Sequence, residues 1–121
     1  STITTRRSVI GKRGAVIGRF MRAMAEASSA MHRDREIVYR VMEKKLRIKD
    51  RGVLDASYTI EMKVMEPRLE LKAPAIHPMI EEVGRNNTRA GDVKPESLMD
   101  RRYLAEMESS GFFNQLWSEK R

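Results

Sequence analysis

The side chains best suited to acid–base or metal chemistry are His32 and His77, and neither has a partner at a useful spacing. There is no His-Glu-x-x-His or His-x-His pattern to place two imidazoles on one face of a helix. The chain has no Cys, which removes a disulfide framework, a thiolate zinc site and a Cys nucleophile together. His32 falls near a helix end, where a cation complements the dipole, and His77 precedes Pro78 in a first turn, so both read as structural or exposed. Glu81 and Glu82 are adjacent and point to different azimuths of a helix, so they do not form a paired acid/base site. Ser28, Ser29 and Ser110 lack the Gly-x-Ser-x-Gly setting of an activated hydroxyl. Gly11, Gly14 and Gly18 imitate a phosphate loop only superficially. No Gly-Lys-Ser/Thr follows them, and the Gly14–Gly18 spacing is that of close helix packing. The expectation is a non-enzymatic chain with no catalytic residue, metal site or cofactor.

Charge is the next chemical feature. Lys and Arg number 24 against 17 acids, a net charge of +7, and Arg6, Arg7, Lys12, Arg13, Arg19 and Arg22 all precede the first acid, Glu26. Such a block can bind a phosphate backbone or anionic lipid. The plainer reading is a solvated helix face whose balancing acids lie elsewhere in a parent chain. No aromatic interleaves the block before Phe20, and no nucleic-acid motif accompanies it, so a small basic helical protein binding nucleic acid or an acidic partner is the alternative. Six of the nine Met (Met21, Met24, Met31, Met42, Met62, Met65) fall at helical spacing, which favours core packing over an adaptable binding groove.

The elements that must carry these residues are helical. With 121 residues, 40% hydrophobic, 34% charged and only 6% aromatic, the chain suits one helical unit built on Met, Val, Ile, Leu and Ala. No apolar run approaches the roughly 20 residues of a membrane span. Residues 1–13 lack the apolar stretch of a signal peptide, so the signal of an exported parent would lie upstream. Residues 1–5 (Ser-Thr-Ile-Thr-Thr) read as a short strand and 6–12 as a helical turn closed by Gly11 or Gly14. From 13 to 31 the spacing of Val16, Ile17, Phe20, Met21, Met24, Ala27 and Met31 predicts an amphipathic helix.

Asp34 caps a second helix with Ile37, Val38, Val41, Met42 and Leu46 on its apolar face, and Asp50 caps a third, on which Leu54, Tyr58, Glu61 and Met65 share a face beside Val53, Ile60 and Val64. Pro67 stops the third helix, and the chain to Pro74 is predicted extended, with Leu69 and Leu71 on one side. A fourth helix carries Ile76, Met79, Ile80 and Val83 and ends at Gly84; a loop follows to Lys94. A turn starts at Pro95, a further helix runs from Arg101 to Ser109, and Gly111 sits at a C′ position. Phe112, Phe113, Leu116 and Trp117 then form an apolar patch expected to dock onto something. The predicted fold class is all-α, a small bundle of five to six helices with one short N-terminal strand. It forms a single segment divided at 1–12, 13–66, 67–94 and 95–121.

The order of three stretches resembles one family. "TTRRSVIGKRGAVIGRFMRAMAEA" (4–27) is similar to the segment after the inter-domain crossover of nitrate/sulfonate/taurine-type periplasmic solute-binding proteins of ABC importers, a group that includes the thiamine-precursor-binding proteins. "MHRDREIVYRVMEKKLRIKDRGVLDASY" (31–58) is similar to the helical hairpin that follows, and "DRRYLAEMESSGFFNQLW" (100–117) to the closing helix and its apolar tail. The resemblance spans nearly the whole chain, least diagnostically over 67–94. It implies a fragment of a two-lobed α/β binding protein, non-catalytic, whose helices pack on one lobe. It implies an anionic or heterocyclic solute and an ABC permease as partners of the parent. It also implies a periplasmic or lipid-anchored extracytoplasmic location. The matching motifs are packing and capping motifs, so no ligand residue carries over; Thr4 and Thr5, near the crossover, are the only candidates close to a cleft. A segment separated from its lobe would expose helix faces, and self-association through them is expected.

Overall fold

A computed structural model describes residues 3–118 and is helical throughout. Six α-helices follow in order: α1 (Arg7–Arg33), α2 (Arg35–Leu46), α3 (Arg51–Val64), α4 (Ala73–Gly84), α5 (Arg102–Ser109) and α6 (Phe112–Ser118). Two 3-10 turns, Thr88–Ala90 and Pro95–Leu98, lie between α4 and α5. The all-α class and the helix number agree with the sequence reading.

The predicted N-terminal strand is absent among the described residues. Residues 3–6 have no regular structure and lie exposed, because a lone β-branched segment has no neighbouring edge to pair with. Nor is there a separate turn closed by Gly11 or Gly14. Helix α1 starts at Arg7 and continues through both glycines, with one break at Arg13 (φ −132°, ψ 30°). Between Pro67 and Pro74 the chain turns before it extends. The Leu69 amide donates to the Glu66 carbonyl (3.1 Å), and Leu69 takes a left-handed conformation (φ 61°).

Caps set the helix ends. The Asp34 carboxylate accepts from the Glu36 amide at 2.9 Å, and Asp50 accepts from Gly52 and Val53 at 2.8 and 3.1 Å, satisfying amides that no helical carbonyl can reach. Gly111, at φ 77°, supplies the left-handed residue that turns α5 into α6.

Helix α1 is the hub, and the face it buries differs from the one its hydropathy selects. Val16, Phe20 and Ala27 are exposed, whereas Ala25, Ser28 and Ser29 are buried. Gly14 and Gly18 lie under Tyr103 of α5: a Cβ at Gly18 would stand 3.4 Å from the Tyr103 ring, and one at Gly14 would stand 3.3 Å from its hydroxyl. The small side chains let α5 and α6 approach closely. Leu104, Met107 and Phe113 close over Ala25, with Met21, Leu69, Phe112, Leu116 and Trp117 packed around them. The apolar C-terminal patch therefore docks inside the chain itself. Ser28 Oγ donates to the Pro67 carbonyl (2.7 Å) and Ser29 Oγ to the Leu116 carbonyl (3.4 Å), so the two buried hydroxyls tie the 66–69 turn and α6 to α1.

The α2–α3 hairpin has its own centre. Tyr39 meets Tyr58 edge-on (5.9 Å, 88°), its hydroxyl donates to Asp55 (2.5 Å), and Leu54 is fully buried. Tyr58 in turn donates to the Met31 carbonyl of α1 (2.8 Å). Helix α4 packs on the two 3-10 turns and buries Ile76. The outcome is an open arrangement. The chain exposes 9411 Å². A compact monomer of its 14.0 kDa mass would expose about 6,700 Å².

The Gly18 site separates two effects. Gly18→Ala should stabilise by up to about 1 kcal/mol through helix propensity, since its Cβ meets Tyr103 at contact distance. Gly18→Leu should destabilise by about 1–3 kcal/mol by pushing α5 away. Urea unfolding followed by circular dichroism checks both.

Candidate interaction surface

None of the sequence candidates assembles into an enclosed site. Thr4 and Thr5 lie in the irregular, exposed segment before α1, and no cavity is lined by them. His32 is half-buried at the end of α1, its Nδ1 2.8 Å from the Ser28 carbonyl and its ring edge-on to Trp117 (5.5 Å, 71°). His77 is on α4, in a separate part of the fold. Among the described residues no group of three or more His, Asp or Glu converges as metal ligands would. Glu81 and Glu82 diverge: Glu81 lies 3.2 Å from His77 Nδ1, and Glu82 pairs with Arg85 at 2.9 Å.

One feature the sequence reading missed is an open recess of about 420 Å³ between α4 and residues 91–95. The polar groups along it are His77, Glu81 and Arg85, spaced four apart on α4; that spacing was the available signal. His77 and Glu81 remain 63% and 65% exposed, so water screens both and neither is tuned for proton transfer.

The electrostatics are largely architectural. Arg101 grips Glu70 with two hydrogen bonds (2.9 and 2.6 Å), and that hydrogen bonding holds the Glu70 carboxyl below the usual range against the opposing effect of burial. Asp100 is held low in the same way, chiefly by Arg102. The Tyr39 phenol is pushed up by its hydrogen bond to Asp55, then by burial and by the charge of Asp55.

What remains is surface. Of the N-terminal cations, Arg22 is consumed internally, paired with Glu106 (2.5 Å) and stacked over Phe112 (4.8 Å). Arg7 donates to the Ser97 carbonyl (2.6 Å). Arg6, Lys12, Arg13 and Arg19 are exposed and belong to no ion pair among the described residues. On the same helix Val16 and Phe20 are each 50% exposed, and Val9 is exposed one turn and more before them. A second apolar stripe runs along α3, where Val53, Ile60 and Val64 are 48%, 66% and 72% exposed. It lies amid charges of both signs, including Glu61 and Lys63. No helix among the described residues is long and apolar enough to cross a membrane.

Compared with known proteins, the chain matches no family model, no curated protein and no solved structure.

The Glu70–Arg101 grip has a pH signature. The folded-state pKa of Glu70 is depressed, so its stabilisation is present above the unfolded value of about 4.3 and is lost as pH falls through the folded value. Chemical unfolding between roughly pH 5 and pH 3 should show a smaller acid-induced loss for Glu70→Gln than for the parent sequence.

Proposed function

We propose that this chain is the C-terminal helical part of an ABC-importer solute-binding protein of the nitrate/sulfonate/taurine or thiamine-precursor type. In that role it is non-catalytic and contributes helices that pack on one lobe. The ordered resemblance over 4–27, 31–58 and 100–117 raises the reading, and one structural observation carries it. The chain exposes about 2,700 Å² more than a compact monomer of its mass. Much of its apolar surface lies in helical stripes, and a helix whose outer side is also apolar is made to be covered by another layer.

The stripe of Val53, Ile60 and Val64, with Val41 on the far side of α2, is the surface offered to the preceding lobe. Its neighbouring charges are mixed, as an intramolecular interface tolerates. The solute, anionic or heterocyclic, and the permease belong to the parent, which works outside the cytoplasm in the periplasm or on a lipid anchor. In a chain separated from its lobe, the same stripe drives self-association.

The test uses the open reading frame that includes the coding sequence upstream of Ser1. Expressed whole, it should yield a protein stabilised against heat by a sulfonate, nitrate or a substituted pyrimidine. Ile60→Lys, a surface change in the present chain, should there destabilise by about 1–3 kcal/mol, as a core substitution does. A neutral Ile60→Lys sinks the reading. So does steeply salt-dependent duplex-DNA binding without any solute response, which would favour the nucleic-acid alternative.

A further inference from the structure

The outer face of α1 is not used by the packing proposed above, and its chemistry is different. We infer that it is a docking surface for an anionic lipid bilayer. Val9, Val16 and Phe20 enter the boundary between headgroups and acyl chains, while Arg6, Lys12, Arg13 and Arg19 meet the phosphates.

Three observations carry this. First, the apolar side chains and the cations share the solvent side of a single helix about 40 Å long. A helix with that pairing lies flat in a lipid interface. Second, no carboxylate of the helix precedes Glu26, and the four outer cations have no protein anion to answer them among the described residues. Third, the N-terminus of α1 has neither a side-chain cap nor an acid in its first turn, so its free amides add to the same positive potential.

Charge also selects among occupants. A second copy meeting this face about a twofold axis would set the four cations against the same four cations. Nucleic acid would answer the cations but leave Val9 and Val16 with nothing to pack on, and Phe20 is the only exposed aromatic available for stacking. A bilayer of anionic lipid answers both halves of the surface.

Co-flotation of the full chain with phosphatidylcholine vesicles, with and without roughly 30 mol% phosphatidylglycerol, tests the proposal. The expected result is binding only to the phosphatidylglycerol vesicles, weakened by added salt. Arg13→Gln together with Arg19→Gln should lower partitioning about 30-fold, at about a factor of five per cation. Phe20→Ser should lower it while leaving helicity by circular dichroism unchanged, since the side chain is already half-exposed. Equal binding to neutral vesicles, no binding to anionic ones, or full retention in the Phe20→Ser variant would overturn it. Duplex-DNA binding that is indifferent to Phe20→Ser, with no vesicle binding, would do the same and assign the face to nucleic acid. None of these outcomes depends on whether Ile60 is covered by a lobe, so the two proposals fail separately.

Discussion

The small-residue face of α1 is the constraint on which the other helices depend. Gly14 and Gly18 place Tyr103 against bare backbone, Ala25 leaves room for Leu104, Met107 and Phe113, and Ser28 and Ser29 reach two distant carbonyls. Each is a position where a larger side chain would stand off its neighbour. The glycines weaken the helix by about 1 kcal/mol apiece relative to alanine, so it holds its shape because α5 and α6 are laid on it. The dependence is mutual. Helices of eight and seven residues such as α5 and α6 would not persist alone, and burial on α1 is what orders them.

The same logic explains why two serines sit in the interior. A buried hydroxyl without a partner costs roughly 1–3 kcal/mol, but these two bond carbonyls of the 66–69 turn and of α6. They act as directional ties where an apolar contact would be indifferent to register. At the other end of α1, the Tyr39–Asp55 and Tyr58–Met31 hydrogen bonds fix the hairpin of α2 and α3 in a comparable way. Polar contacts thus set how the elements are joined, while the apolar core proper is confined to the contact of α1 with α5 and α6.

Much of the helical skeleton was legible because caps and breakers are local. Asp34, Asp50, Pro67, Pro74, Gly84 and Gly111 each act within a turn of their own position, and the helices start or stop beside them. Which face turns inward was not legible. Hydropathy weights Val16 and Phe20 above Gly18, Ala25 and Ser29, yet close packing selects the smaller residues. The lone strand failed for a related reason, since β-propensity says nothing about whether a neighbouring edge exists. The apolar tail was readable as a docking element from Phe112, Phe113, Leu116 and Trp117, but its acceptor on α1 was not. As for the candidate site, Thr4 and Thr5 were chosen through resemblance and sit exposed beside no cavity, whereas the recess along His77, Glu81 and Arg85 required α4 and the following turns to be placed in space.

The break at Arg13 has a dynamic consequence. Its non-helical dihedral angles interrupt the hydrogen-bond ladder of α1, leaving residues 7–12 as an arm whose link to the rest of the fold runs through Arg7 and the Ser97 carbonyl. The stem beyond Gly14 is held by Tyr103 and by the packing of α5 and α6. Amide protons of the arm can therefore trade with solvent by local opening, while those of the stem must wait for the core to come apart. One continuous helix in outline thus contains two cooperative units, with Arg13 at the border where the slow part begins.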